Sequence, residues 1–346
     1  MTSKPIQPAS HNWSPQLIEY IEQMVSAPFQ NLTIQKLAGD ASDRTYWRIK
    51  QARESRILLQ RDPYPQEGET LPYINIQRHL LSHGVHVPRI QAFSPPLGVL
   101  LLEDFGDTFL EKMTQKMTPK QYAKHYFLAL DELFKIQFRA SRKTTDCVAF
   151  TRAFDKEKLV WELTFTQTYL IQKYLGVTLS DADQRLLSAF YDSLSEKLAN
   201  QPYYFTHRDY HSRNLMWHNE KIGVLDFQDA RLGTCHYDLA SLLKDSYVAL
   251  PDTLIEDLIN YYIYEKERHE KIKIDKPAFA ETFDWMCIQR NLKAMGTFAY
   301  LHLEKGKSNY LRYIKPTWQM ADQNLSKFHS FKAAHRLLQK IFEGLT

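Results

Sequence analysis

Apolar positions recur first at helical spacing and then in short runs along this chain. Residues 14–26, SPQLIEYIEQMVS, open with a serine suited to a helix cap and continue with Ile18, Ile21, Met24 and Val25 three or four places apart, which predicts an amphipathic helix. Strand-like runs follow at 32–37, 44–50 (RTYWRIK), 56–61 (RILLQR), 89–93 and 97–103 (LGVLLLE), interrupted by one helix-patterned segment at about 71–83. Five strands and that helix make a small α+β unit over about the first 105 residues. Beyond residue 107 helical periodicity dominates, at 118–139, 155–175, 180–199, 237–248, 252–267, 277–303 and 330–343. Short strand-like pieces stand at 203–206, 214–218 and 221–226. The pattern predicts an α+β fold of two lobes, a small five-stranded N-lobe over 1–105 and a mainly helical C-lobe over 106–346. The cleft between two such lobes is a common place for a small-molecule site.

Composition adds exclusions. A chain of 346 residues is longer than one core usually supports. With 44% hydrophobic and 24% charged residues it reads as globular. The net charge of +4 comes from interspersed signs, not from the clustered Lys and Arg of a nucleic-acid footprint, so no nucleic-acid partner is expected. Cys147, Cys235 and Cys287 are far apart and lack C-x-x-C spacing, which argues against a disulfide framework or a zinc site and for a reducing compartment. The opening MTSKPIQPASHNWS has no apolar signal core. No stretch approaches the ~18–20 apolar residues that span a bilayer. The expectation is a soluble cytoplasmic protein with no membrane partner.

The chemistry concentrates in THRDYHSRNLMW, residues 206–217, and GVLDFQDA, residues 223–230. Phosphoryl transfer needs a carboxylate beside the attacking hydroxyl and oxygen ligands for the magnesium that bridges the nucleotide phosphates. Asp209 suits the first task. Asn214, at the exit of the same loop, offers a neutral amide oxygen, and Asp226, ending a short apolar strand, offers an anionic one. Flanking strands would fix all three. His207, just before Asp209, suits a bracing role, as does Asp238 ahead of LASLL; Arg208 suits a pairing with a nearby carboxylate.

These motifs resemble the aminoglycoside phosphotransferase/choline kinase branch of the protein-kinase-like fold: HRDYHSRN, LDFQDA and GTCHYDLASLL follow that branch's catalytic loop, metal loop and next helix in order. Only eleven residues separate Asp226 from Asp238, too few for the activation segment of a protein kinase, so a small-molecule acceptor is expected. GDASDRTYWRI, LLLEDFGD, YDLASLLKD and QRNLKAMGTFAYLHLEKGK extend the resemblance to the bacterial anomeric sugar kinases of cell-wall recycling, over about residues 14–320. The resemblance implies ATP and magnesium as cofactors and an amino sugar, N-acetylmuramate or N-acetylglucosamine, as acceptor. The D-F-G letters in LLEDFGD precede the HRD motif, so they are not the magnesium signature they imitate; that segment reads as the last N-lobe strand entering the hinge.

Within this frame the nucleotide loop falls in LAGDASDRT, residues 37–45, with Gly39 for close backbone approach and Ser42 and Arg44 as phosphate contacts. The backbones of Leu102 and Glu103 are candidates for adenine contact. His211, Glu162 and Arg290 are candidates for the acceptor, Arg290 for a carboxylate and Glu162 for a sugar hydroxyl. The strand RILLQR lacks the phosphate-binding lysine that protein kinases place there, and the helix LPYINIQRHLL lacks its glutamate partner. Arg61, Arg44 and Lys50 are the candidate substitutes. An aminoglycoside or choline-type kinase and a non-catalytic nucleotide-binding pseudokinase stay open as alternatives.

Overall fold

The computed structural model describes residues 13–37, 44–63, 71–142 and 146–345. Helix α1 (Pro15–Val25) starts where expected: the Ser14 hydroxyl accepts the Leu17 N–H at 3.2 Å and Pro15 occupies the first turn. Its buried face is Leu17, Ile21 and Val25, whereas Met24 is 39% exposed. The face is therefore rotated from the Ile18–Ile21–Met24–Val25 stripe.

That face lies on an antiparallel sheet of β1 (Thr33–Lys36), β2 (Thr45–Gln51), β3 (Glu54–Gln60), β4 (Ile90–Ser94) and β5 (Val99–Glu103), in the spatial order β1-β2-β3-β5-β4. Leu58 pairs with Leu101 and Leu59 with Leu100. Successive side chains point to opposite faces. Leu58, Val99 and Leu101 thus join α1 in one cluster, while Leu59, Leu100 and Leu102 join α2 (Pro72–Ser82) and the main core. Burial on both faces explains why LGVLLLE is a continuous apolar run without alternation.

The rest is mostly helical: α3 (Leu110–Thr114), α4 (Pro119–Phe134), α5 (Lys156–Thr166), α6 (Asp181–Ala199), α7 (His236–Leu243), α8 (Asp252–Glu270), α9 (Lys276–Lys305), α10 (Ile314–Leu325) and α11 (Lys332–Ile341). α4 and α5 run on as π-helical segments over Lys135–Arg139 and Gln167–Tyr174. Two small ribbons interrupt the helices. β6 (Tyr203–Thr206) pairs with β9 (Arg231–Thr234), and β7 (Leu215–His218) pairs with β8 (Lys221–Val224). Every helical segment and strand read from the pattern has a counterpart. β9, α3 and α10 were not anticipated: β9 is four residues including a glycine, α3 is a single turn, and Pro316 in α10 reads as a breaker but sits in the first turn, where its missing N–H costs nothing.

Two close approaches set the site. A Cβ on Gly223 of β8 would lie 2.4 Å from the Phe105 ring, so glycine lets Phe105 plug the β7–β8 hairpin to the segment leaving β5. A Cβ on Gly296 of α9 would lie 2.4 Å from Thr166 Oγ1, and Thr166 Oγ1 donates to Leu292 O at 2.9 Å. That crossing brings the inner faces of α5 and α9 together. Cys147, Cys235 and Cys287 are buried and free. No helix among the described residues is long and apolar enough to cross a membrane.

Candidate active site

The loop between β6 and β7 carries Asp209, and the turn after β8 carries Asp226. Because Leu215 pairs with Val224, Asn214 and Leu225 meet at the open end of the hairpin, where Leu225 N–H donates to Asn214 O at 2.9 Å. Asp226 is the next residue. Two non-glycine residues here have positive φ, Arg208 at 86° and Asp226 at 61°. Such conformations cost on the order of 1–3 kcal/mol each and persist only where neighbours over-determine them.

The neighbours are visible. The buried Asp238 carboxylate accepts the His207 N–H at 2.6 Å and the Arg208 N–H at 3.0 Å. Asp245, also buried, accepts the Ser212 N–H at 2.9 Å and the Tyr247 N–H at 2.8 Å. Burial pushes Asp238 up to about 7 and Asp245 up to about 6, with the donated N–H groups pulling back. His207 lies 2.8 Å through Nε2 from Leu225 O, and its Nδ1 accepts the Asp209 N–H at 3.3 Å. A carbonyl only accepts and an amide N–H only donates, so the ring is neutral with its proton on Nε2; burial lowers its pKa accordingly. His207 and Asp238 are braces, tying the two loops together.

Asp209 faces three cations. Lys293 Nζ stands 3.3 Å from Oδ1, Arg290 3.9 Å from Oδ1, and Arg208 Nε 3.9 Å from Oδ2. Burial alone would push the Asp209 pKa up, but Lys293 foremost, then Arg208 and Arg290, hold it well below the usual carboxylate value. Arg208 also pairs with Asp229 at 3.1 Å. Behind Asp209 runs a buried chain: Arg290 donates to Tyr237 OH at 3.0 Å, Tyr237 OH donates to Glu162 Oε2 at 3.4 Å, and Gln289 donates to the same oxygen at 2.9 Å. Glu162 is 1% exposed, so it does not face solvent. Glu162 Oε1, Arg290 Nε and His211 Nδ1 are buried without a hydrogen-bond partner in the protein. Buried polar atoms are rarely left so; Arg290 and His211 act electrostatically on Asp209, and Glu162 is linked to Arg290 through Tyr237. Burial lowers His211 to about 3 and lays its ring edge-on to Tyr247. The surroundings of Asp209 are rich in charge: Lys158, Arg208, Arg231, Arg290 and Lys293, five cations, meet four carboxylates, Glu162, Asp209, Asp229 and Asp238.

Sequence reasoning missed Lys293, Tyr237 and Gln289. For the two on α9 the signal was present: Gln289, Arg290, Asn291 and Lys293 are polar residues inside the stretch Met286–Gly296, most of which is buried. A charge on the core face of a helix is paired or functional.

On the sheet side, a cavity lies between Leu59, Leu100 and Arg44 above and Arg152, Gln228 and Asp229 below. Leu59 faces it from β3, the strand on which a protein kinase carries its lysine. The adjacent strand supplies a cation: Arg44, at the start of β2, reaches across to Asp226 Oδ1 at 3.7 Å. Arg61 lines the same cavity, whereas Lys50 is exposed at the far end of β2, paired with Thr33 and Ser55. Gly39 and Ser42 lie outside the described residues. Leu102 is paired on both sides, with Ile57 and Ile90, and Glu103 N–H donates to Arg89 O at 2.9 Å. The chain then enters Asp104–Asp107, clamped by Arg48 of β2, which bonds both Asp107 oxygens at 2.9 and 2.8 Å, Asp104 at 3.0 Å and Gly106 O at 2.8 Å. The D-F-G letters are thus part of a hinge fastened to the sheet.

Asn214 and Asp226 fit a magnesium ion that keeps water and phosphate oxygens as its other ligands. Asn214 Nδ2 donates to Asp209 O at 2.9 Å, which commits the nitrogen and leaves the amide oxygen. Asp226 is 46% exposed in its side chain, with Oδ1 held by Gln228 Nε2 at 2.8 Å. Among the described residues no cluster of three His, Cys, Asp or Glu could hold a metal by itself.

The chain matches the phosphotransferase enzyme family over residues 33–272. It is 34% identical over 311 residues to the N-acetylmuramate/N-acetylglucosamine kinase of Pseudomonas aeruginosa, covering 89% of this chain and 88% of that one. It is 32% identical over 286 residues to the protein of the same name from Neisseria meningitidis serogroup B, covering 82% and 83%. In structure it matches the choline kinase LicA of Streptococcus pneumoniae with a TM-score of 0.60 and 13% identity, over 90% of this chain and 100% of that one. That likeness shows the protein-kinase-like fold. With the family and two extensive relatives in agreement, the chain belongs to the phosphotransferase enzyme family and is a kinase whose acceptor is a hydroxyl group.

Proposed function

We propose that this kinase uses ATP and magnesium to phosphorylate the anomeric hydroxyl of N-acetylmuramate and N-acetylglucosamine, in the cytoplasm, as a step of cell-wall recycling. The observation that carries the reading is the cationic cluster beside Asp209, five cations around four carboxylates, with Lys293 and Arg290 3.3 and 3.9 Å from the Asp209 carboxylate. The lactyl carboxylate of a muramate suits it. A polycationic aminoglycoside or the quaternary ammonium of choline would meet like charge, where a choline site calls for an aromatic cage. The names of the two relatives point the same way.

In this reading residues 1–105 form the nucleotide-binding lobe and 106–346 the catalytic and acceptor-binding lobe. Asp209 accepts the acceptor's hydroxyl proton. The hydroxyl oxygen bonds to the γ-phosphorus as the bond to the bridging oxygen breaks and its electron pair leaves with ADP. Asn214 and Asp226 would hold magnesium, which would supply charge neutralisation to the nucleotide phosphates. Gly39, Ser42 and Arg44 contact the phosphates, and the segment from Leu102 and Glu103 onward takes the adenine. Glu103 N–H is already given to Arg89, so the adenine contact there falls to other backbone groups. Arg290 takes the acceptor carboxylate, Glu162 a sugar hydroxyl, and His211 lines the pocket.

The test is ADP release with ATP and magnesium against N-acetylmuramate, N-acetylglucosamine, choline and an aminoglycoside. Turnover confined to the amino sugars supports the reading; turnover on choline or the aminoglycoside alone replaces it. Arg290→Ala is expected to lower kcat/KM for N-acetylmuramate at least about tenfold more than for N-acetylglucosamine, since a charge-assisted bond contributes about 1.5–3 kcal/mol. Equal losses for both sugars would take Arg290 off the carboxylate. Arg44→Ala is expected to weaken nucleotide affinity by roughly tenfold by the same reasoning, measured calorimetrically with magnesium present. Unchanged affinity would pass the lysine's role to Arg61.

A further inference from the structure

Lys293 lies in the stretch QRNLKAMG, from which the sequence singled out only Arg290, yet it makes the shortest ion-pair contact to the Asp209 carboxylate, 3.3 Å from Oδ1. The surroundings make this a constructed contact. Lys293 is 13% exposed in its side chain and follows the buried stretch Met286–Leu292 of α9. The Gly296–Thr166 crossing holds α9 against α5 one turn beyond it. Arg290, one turn before it, gives Nη1 to Tyr237 OH at 3.0 Å and stands farther from Asp209, at 3.9 Å. A lysine in such a place loses its hydration and keeps its charge only because the carboxylate faces it.

We propose that Lys293 is a positioning residue of the phosphoryl transfer, holding Oδ1 of Asp209 so that Oδ2 is presented to the acceptor hydroxyl. The proposal rests on the assignment of Asp209 to the acceptor. Oδ2 is the freer oxygen, with Arg208 Nε at 3.9 Å. A carboxylate gripped by one oxygen has its rotamer fixed, and a small misplacement of a catalytic group costs on the order of a hundredfold in rate.

The charge of Lys293 depends on pH. Burial depresses its pKa to about 8; Asp209 pulls the other way, Arg290 and Arg208 add to the depression, and Glu162 opposes it. The ammonium is therefore present below about pH 8 and lost as the pH rises through it. Arginine at this position would stay charged.

The experiment compares wild type, Lys293→Met and Lys293→Arg over pH 6–10 on whichever acceptor the wild type turns over, with thermal melting as the check on folding. The expected result has three parts. Lys293→Met lowers kcat by about 10- to 100-fold, alike for N-acetylmuramate and N-acetylglucosamine, with KM values little moved. Wild-type kcat declines above about pH 8. Lys293→Arg keeps more activity than Lys293→Met and lacks that alkaline decline. An unchanged kcat in Lys293→Met overturns the proposal. So does a loss confined to the KM of N-acetylmuramate, which would make Lys293 a reader of the acceptor's anion. Failure of the amino-sugar reading is separate: it shows as a wild type active on a different acceptor, on which the same comparison is then made.

Discussion

Asp209→Asn is expected to lower kcat by about 10²- to 10⁴-fold, the range for losing a positioned general base, while affinity for nucleotide with magnesium changes little. The substitution is nearly isosteric. The contacts that shape the loop use the backbone of residue 209: its N–H goes to His207 Nδ1 and its carbonyl accepts Asn214 Nδ2. Both survive, so Asn214 keeps its orientation and the nucleotide side is untouched. What disappears is a charge and a proton acceptor. Arg208, Arg290 and Lys293 then share no anion at that point, and an acceptor bearing a carboxylate should bind more tightly as its turnover collapses. N-acetylmuramate is therefore expected to show a lower KM in the variant, and N-acetylglucosamine an unchanged one. The pH dependence follows the same charges. Because the folded pKa of Asp209 is held well below its ordinary value, foremost by Lys293, the carboxylate stays ionised through the ordinary carboxylate range, and an acid limb of the wild-type profile within that range belongs to another group. Near-normal turnover in Asp209→Asn would remove this residue from the mechanism.

How much of this was readable beforehand depends on the range of the interactions. The five strands were legible because pleating alternates or saturates apolar residues over four to seven positions, a local signal. The catalytic loop was legible because its chemistry is packed into consecutive residues, 207–214. Lys293 and Tyr237 come to Asp209 from 84 and 28 residues away along the chain, through a helix crossing that depends on Gly296 meeting Thr166. Nothing local announces that meeting. Arg44 is intermediate: the missing lysine on β3 was evident, but only the register of β2 against β3, Tyr46 opposite Leu59, shows which neighbour can replace it. The Ile18–Met24 stripe misjudged the buried face of α1 because residues three and four apart are compatible with two adjacent faces, and the sheet below selected Leu17, Ile21 and Val25.

The support around the loops explains why two strained residues can stand where the chemistry needs them. Arg208 and Asp226, both at positive φ, are flanked by braces that act on the main chain. Asp238 takes two consecutive N–H groups, at 207 and 208, and His207 then fastens its own loop to Leu225 O, immediately before Asp226. The path from α7 to Leu225, next to Asp226, is therefore one unbroken set of hydrogen bonds. It uses a buried carboxylate and a neutral histidine, neither of which needs to touch the substrate.

Asp226→Ala is expected to abolish the magnesium dependence of nucleotide binding. Asp226 supplies the one formal negative charge of the two-residue oxygen set, because Asn214 offers a neutral amide oxygen. A divalent cation that keeps most of its water is held at such a site chiefly by that charge and by the phosphates. Without Asp226 the phosphates must hold the ion unaided, and affinity for the magnesium complex is expected to fall about a hundredfold or more, the scale of removing a buried or metal-paired charge, ~3 kcal/mol. Free nucleotide should behave differently. Arg44 now spends part of its charge on Asp226, 3.7 Å away; once released it faces the phosphates alone, so binding in the presence of a chelator is expected to hold or strengthen. Calorimetric titration of a non-hydrolysable ATP analogue, with magnesium and with chelator, separates the two effects. Alanine at a φ of 61° also strains the turn, and Asp226→Asn provides the control, since asparagine tolerates that conformation and keeps an oxygen while losing the charge. If the asparagine variant matches alanine, the charge is responsible. If magnesium still tightens binding as much in Asp226→Ala as in the wild type, Asp226 is not the metal ligand, and the order of loops that suggested it must be read another way.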